Sequence, residues 1–138
     1  MRAEKVVYSL LGASSVLAAI VGTRIYPKVL PQDKTLPAVT YEHISSIEPG
    51  QIDASGHALV QSRIQVSALA ADSVSASGYA SCKAIIEAAR AALLYQHGTI
   101  AGVYVASIVR DVTGPDEFDA EINAHMQTID VIVTHFEQ

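Results

Sequence analysis

Between Leu59 and Tyr95 the hydrophobic period changes from two to about 3.6, and no other feature constrains the fold as much. In Leu59–Leu69, Val60, Ile64, Val66 and Ala68 lie on one side of an extended chain and Gln61, Arg63, Gln65 and Ser67 on the other. That alternation predicts a strand with one buried face. From Val74 the apolar positions become Val74, Gly78, Cys82, Ile85, Ile86, Ala89 and Leu93, while Lys83, Glu87 and Arg90 fall elsewhere on the wheel. Asp72-Ser73 offers side-chain oxygens to cap the free N–H groups at the start of this helix. A one-sided strand joined to a one-sided helix buries both apolar faces only if the helix folds back across the sheet.

The flanking sequence adds elements of the same kinds. Val7, Leu10, Leu11, Leu17, Ala18 and Val21 fit one stripe of an N-terminal helix. Glu4 in its first turn suits the helix dipole, and Gly22 ends it. The run Val6–Val21 also resembles the apolar core of a signal peptide, but Tyr8, Ser9, Gly12, Ser14 and Ser15 interrupt it. It is short of the roughly 20 residues of a membrane span. A packing helix retained in the mature protein is the expectation, and a cleaved secretion signal the alternative.

Pro27, Pro31 and Pro37 make the next segment stiff and extended, a strap along the sheet edge. Ala38–Ile47 reads as a strand with two mixed faces, which suits an edge or an interface. Glu48-Pro49-Gly50 begins a turn whose loop continues through Gln51 and Asp53 to Gly56. His97-Gly98 ends the long helix, Val103–Arg110 is a third strand, Asp111–Asp119 a long acidic loop, and Ala124–Phe136 a fourth strand. The expectation is an α+β fold with the order helix–strand–strand–helix–strand–strand. Residues 1–138 form one domain, a four-stranded, mainly antiparallel sheet with two helices packed on one face.

Several kinds of chemistry are excluded or unsupported. The net charge is −5 and no Lys/Arg cluster occurs, which argues against binding nucleic acid through its phosphates. Cys82 is the single cysteine, so a disulfide-stapled scaffold is excluded. No nucleophile elbow, phosphate-binding glycine loop or zinc-protease motif is present. His43, His57, His97, His125 and His135 lack close metal spacing. Asp130, in an otherwise apolar strand, reads either as a catalytic carboxylate or, more simply, as a solvent-facing or ion-paired group. Asp111, Asp116, Glu117 and Asp119 lack the ligand order of a calcium loop. No catalytic, cofactor-binding or metal residue is therefore assigned, and no cofactor.

Half the residues are hydrophobic and only 17% are charged, against a typical value of about 25%. Surface covered by further copies of the chain would account for that balance; the alternative is simply an alanine-rich sequence, since alanine counts as hydrophobic. Long exposed loops commonly carry contacts. The candidate interface residues are thus Glu48, Pro49, Gly50, Gln51 and Asp53 in one loop and Asp111, Asp116, Glu117, Phe118 and Asp119 in the other.

Several segments together resemble the tail terminator, or tail completion, proteins of long-tailed phages and gene transfer agents. They are Val21-Gly22-Thr23-Arg24-Ile25-Tyr26-Pro27 after the first helix, then Leu36-Pro37-Ala38-Val39-Thr40-Tyr41 and Arg63-Ile64-Gln65-Val66-Ser67. The alanine-rich helix and Thr128-Ile129-Asp130-Val131-Ile132-Val133 complete the set. The sequence departs from the family pattern in the acidity of residues 111–123 and in lacking an aromatic directly after Val133. The resemblance implies a structural virion protein of the tail or neck, assembled in the host cytoplasm, with no enzymatic activity. It implies a homo-oligomeric, hexameric ring that caps the tail tube and stops its growth. Its partners would be the major tail tube protein and the head–tail connector or stopper. DNA would pass through a central channel without specific binding, and no membrane is involved. The alternatives are another neck protein, or a small oligomeric α+β enzyme or ligand-binding domain with a site at the subunit interface.

Overall fold

The structure, a computed structural model, describes residues 2–32, 35–48, 58–74 and 77–137. In chain order the elements are α1 (Arg2–Ala13), α2 (Ser15–Val21), β1 (Ile25–Pro27), β2 (Ala38–Ile47), β3 (Ala58–Ala70), α3 (Gly78–Leu93), β4 (Gly98–Ile100), β5 (Val103–Thr113), β6 (Glu117–Asp119) and β7 (Ala124–Glu137). They form one sheet in the order β1-β2-β3-β7-β5-β4, with β6 attached to β7. Every pairing is antiparallel except β1 with β2.

The four long strands β2, β3, β5 and β7 are those the alternation predicts. The expected four strands and two helices are corrected to seven strands and three helices among the described residues. The additions are short: β1 pairs Ile25–Pro27 with Val39–Tyr41, β4 pairs Gly98–Ile100 with Val103–Val105, and β6 pairs Glu117–Asp119 with Ala124–Met126. Ala101 and Gly102 turn β4 into β5 with φ of 53° and 79°. That pair of left-handed residues matches the twist of a two-residue hairpin.

The expected single N-terminal helix is two, meeting at a bend of 82°. Ser14 makes the break, because its side chain accepts from the Leu17 N–H at 3.2 Å and starts a new helix. The apolar stripe survives the bend: Val6, Val7, Leu11, Leu17 and Val21 are all buried. Gly22 ends α2 at φ 60°, and Arg24 then ties helix to strap by donating to the Pro37 carbonyl at 2.8 Å. No single helix among the described residues is long and apolar enough to cross a membrane.

The long helix begins at Gly78, four residues later than Val74, and Val74 is fully exposed. Ser77 is its N-cap, while Asp72 reaches forward to accept from the Gly78 N–H at 2.8 Å. A Cβ at position 78 would lie 2.7 Å from the Ala70 carbonyl oxygen and 2.8 Å from His125 Cδ2, so only glycine fits where the helix starts against the sheet. Cys82, Ile85, Ile86, Ala89 and Leu93 then bury as expected. All three helices lie over one face of the sheet, and their apolar residues meet Val39, Ile64, Val66, Val105, Ile108, Ile129, Val131 and Val133.

Candidate functional site

With the helices on one side, the other face of the sheet carries no helix among the described residues, and the strap residues 28–32 border one end of it. Its middle is polar. Arg63 on β3 forms an ion pair with Asp111 on β5 and lies 3.8 Å from Asp130 on β7. Gln65 donates to Asp130 at 3.2 Å. Asp130 is thus a paired carboxylate, as the simpler sequence reading has it. Two hollows flank this cluster. One, of about 480 Å³, is lined by Lys28, Val29, Thr40, Ser67, Leu69 and Met126 among others. The other, of about 420 Å³, lies between Ser45, Ile47, Gln61, Val109, Ile132 and Thr134. A third hollow, of about 730 Å³, lies on the helix side between the α1–α2 elbow and α3, where Leu10, Val16, Ile20, Ala84, Ala88 and Ala91 form apolar walls. No histidine or cysteine lines any of the three.

The acidic segment is ordered in a way its sequence does not announce. Asp111 is still part of β5, and Glu117, Phe118 and Asp119 are β6, so the expected long loop is mostly strand. The two residues it brings to the helix side are Asp116 and Phe118. Asp116 accepts from Lys83 Nζ at 2.5 Å, from the Tyr79 hydroxyl at 3.1 Å and from Gln127 Nε2 at 3.1 Å. The Lys83 hydrogen bond is the main reason the Asp116 carboxyl sits below its ordinary range, and the same bond raises the Lys83 ammonium. Phe118 packs edge-on against His125, with ring centroids 5.0 Å apart. Asp119 accepts from the Glu121 N–H and closes a turn. Glu117 is exposed. Next to this anchor, Asp72 accepts from His125 at 3.2 Å, and its carboxyl is lowered first by the Gly78 N–H and then by His125.

Of the other candidate loop, Glu48 is exposed directly after β2, and Pro49, Gly50, Gln51 and Asp53 lie outside the described residues. Of the described candidates, Glu48 and Asp111 lie at different strands of the sheet. Glu48 follows β2, near one edge of the sheet, whereas Asp111 lies on β5, near the other.

His43 bonds to Ser46 at 2.7 Å, Ser46 to Ser62 at 2.9 Å, and Ser62 to His135 at 3.0 Å. Ser62 and His135 are buried, and this chain of hydrogen bonds stitches β2, β3 and β7 together. Cys82 donates to the His125 carbonyl at 3.1 Å, and burial pushes its thiol up, away from the thiolate. Among the described residues no three His, Cys, Asp or Glu side chains are placed to hold a metal ion. The sequence reading missed Arg63 and Lys83 as organisers of the acidic residues. Their signal was present only as cations on the polar sides of β3 and α3.

The architecture has known counterparts. Residues 5–134 match the model of a family described as tail completion protein gp17. No curated protein matches the chain. Among solved structures, a chain from the virion of a native gene transfer agent particle superposes with a TM-score of 0.73, covering 96% of this chain and 92% of that chain at 20% identity. At that identity the likeness is one of fold.

Proposed function

This chain belongs to the tail completion protein gp17 family and is a structural protein of the virion, and from that premise we propose that it terminates the tail. In this reading several copies, six by the family resemblance, form a ring on the last layer of the tail tube. The ring stops tube growth and presents its other side to the head–tail connector or stopper. DNA passes through its centre, and the ring forms in the host cytoplasm before head and tail join. The reading assigns no reaction, cofactor or metal.

The observation that carries it is the family match across residues 5–134. The sheet face away from the helices supports it, since no helix among the described residues covers it. The candidate contacts narrow to the exposed groups. Asp111 and Asp116 are held by Arg63 and Lys83 and Asp119 is half-buried in its own turn, so Glu48, Glu117 and Phe118 remain the residues through which the ring docks to tube or connector. Phe118, half-exposed at the β6 edge, is the apolar centre of that patch.

The test is assembly of tails with and without the protein, imaged by negative stain. The expected result is tubes of uncontrolled length in its absence and a ring at one end of uniform tails in its presence. Binding to the connector alone would favour another neck role, and uniform tails without the protein would overturn the reading.

A further inference from the structure

His135 is 1% exposed and stands in the sheet between Val60 and Val105, both buried. It nevertheless ends a chain of hydrogen bonds that begins at the surface. Ser62 Oγ lies 3.0 Å from His135 Nε2, Ser46 Oγ 2.9 Å from Ser62 Oγ, and His43 Nε2 2.7 Å from Ser46 Oγ. Ser62 is buried like His135, whereas Ser46 and His43 are exposed. The chain therefore joins a solvent-facing imidazole to one in the core.

The backbone is shaped to complete this path. Ser46 stands directly opposite Ser62 on the neighbouring strand, and His135 is the diagonal neighbour of Ser62 on β7, since Ser62 pairs with Val133 and His135 with Val60. His43 and Ser46 are three residues apart, so on a regular strand their side chains would point to opposite faces. The register shift between His43 and Ser45 leaves Ile44 without a partner of its own on β3 and brings His43 and Ser46 to one face. Without that bulge the path would stop at Ser46, and the exposed imidazole would be cut off from the buried one.

Counting protons shows what the path can carry. Three contacts need three protons, and the two hydroxyls supply two of them. The third comes from Nε2 of one histidine and not both. Two such donors would set N–H against O–H at one contact, and none would set lone pair against lone pair. The bonds thus all run one way or all run the other. Inward, His43 donates, the hydroxyls pass the direction on, and His135 Nε2 accepts, so a neutral His135 carries its proton on Nδ1. Outward, every bond is reversed and His135 Nε2 carries the proton. A neutral His43 fits either direction. A protonated one has N–H on both ring nitrogens and can only donate.

We propose that this path is a proton reader, in which protonation of the exposed His43 fixes the tautomer of the buried His135. The signal is a reversal of hydrogen bonds, and no net charge enters the core. Titratable groups on the elements around this corner are Glu4, Lys5 and Tyr8 on α1, Tyr41 and Glu42 on β2, Arg63 on β3, Asp130 on β7, and Tyr104 and Arg110 on β5. Arg63 is taken by Asp111 and Asp130, and none of these groups forms an ion pair with His43. His43 thus answers to the proton in solution, and the hydroxyls of Ser46 and Ser62 carry its answer inward. The device belongs to the single chain and does not depend on the ring.

The test is NMR of the full chain with isotope-labelled histidine rings, which reports the protonation of each ring nitrogen separately, recorded across the titration of His43. As pH falls and His43 gains its proton, the His135 Nε2 signal should shift from a protonated towards a bare nitrogen and the Nδ1 signal the opposite way. Both should follow the midpoint of His43 itself. Ser46→Ala should leave His43 titrating and abolish the shift at His135. Ser46→Thr keeps a hydroxyl and should restore it, which a role in stitching strands together would not predict. Ser46 is exposed, so neither variant disturbs the core. His135 signals that stay in place while His43 titrates overturn the proposal, as does a response that survives Ser46→Ala. Protonation of both His135 nitrogens together also overturns it, because the buried ring would then be titrating on its own account.

Discussion

The two faces of the sheet are made from the same strands and differ in nearly everything else. On β7, Ile129, Val131 and Val133 point under the helices and are fully buried, whereas Thr128, Asp130 and Ile132 point the other way and keep partial contact with solvent. On β3, Ile64 and Val66 lie beneath α3 while Arg63 and Gln65 hold Asp111 and Asp130 in the open. One face is completed by the chain itself. The other is held together by charge and hydrogen bonds that water can replace. Stability should therefore reside on the covered face, and the open face should tolerate change until a partner is present.

The largest test of that division is Leu11→Asp. It would bury an unpaired carboxylate where α1 meets the sheet, and should lower stability by about 3–5 kcal/mol in chemical denaturation. A wild-type midpoint would mean that the helix layer is not part of the core. Ile129→Ala and Ile132→Ala compare the faces on a single strand. The first should cost about 2–4 kcal/mol through the cavity it leaves, the second about 1 or less. Equal losses would erase the distinction.

Arg63→Met probes the open face's own adhesive. It should cost about 1 kcal/mol, because exposed pairs contribute little. A loss as large as that of Ile129→Ala would show that the charge cluster is structural after all.

The smallest effect concerns the Asp116 anchor and reads out in hydrogen exchange of the β6 amides. The Asp72 and Asp116 carboxyls are lowered in the folded chain, so their contribution is complete above the ordinary carboxylate range. It is lost as pH falls through their folded values. Lys83 is raised, so its share persists through neutral pH and disappears only in strong alkali. Protection of residues 117–119 should thus be constant near neutrality and fall in acid, and Asp116→Asn should flatten that profile. An unchanged acid profile in the variant would assign the effect elsewhere.

What the sequence made legible is what carries a period. The alternation of β3 and the stripe of α3 were readable because burial repeats along them, and Val74 failed only because two capping signals, Asp72-Ser73 and Ser77, compete within a few residues. Strands of three residues carry no period, so β1, β4 and β6 were invisible. The N-terminal stripe reads as one helix because Leu11 and Leu17 stay buried across the bend; only Ser14 marks the break. For the candidate residues, nearness along the chain misled. Asp111 and Asp116 were grouped as one loop, but one belongs to the open face and the other to the helix side. The pairing of Arg63 with Asp130 depends on the register of β3 against β7, which no local pattern contains.

The position of β7 between β3 and β5 has a consequence in time. β5 is synthesised before β7, yet its only long neighbour in the sheet is β7. Every pair in the β3–β7 ladder joins residues on opposite sides of α3. During synthesis β2 and β3 can form a hairpin and α3 can settle over it, but β5 has no place to dock until β7 has been made. The chain therefore acquires its second sheet edge late, in a single closing step dominated by distant contacts, which are slow to form. A copy that has not finished folding offers one edge and lacks the other.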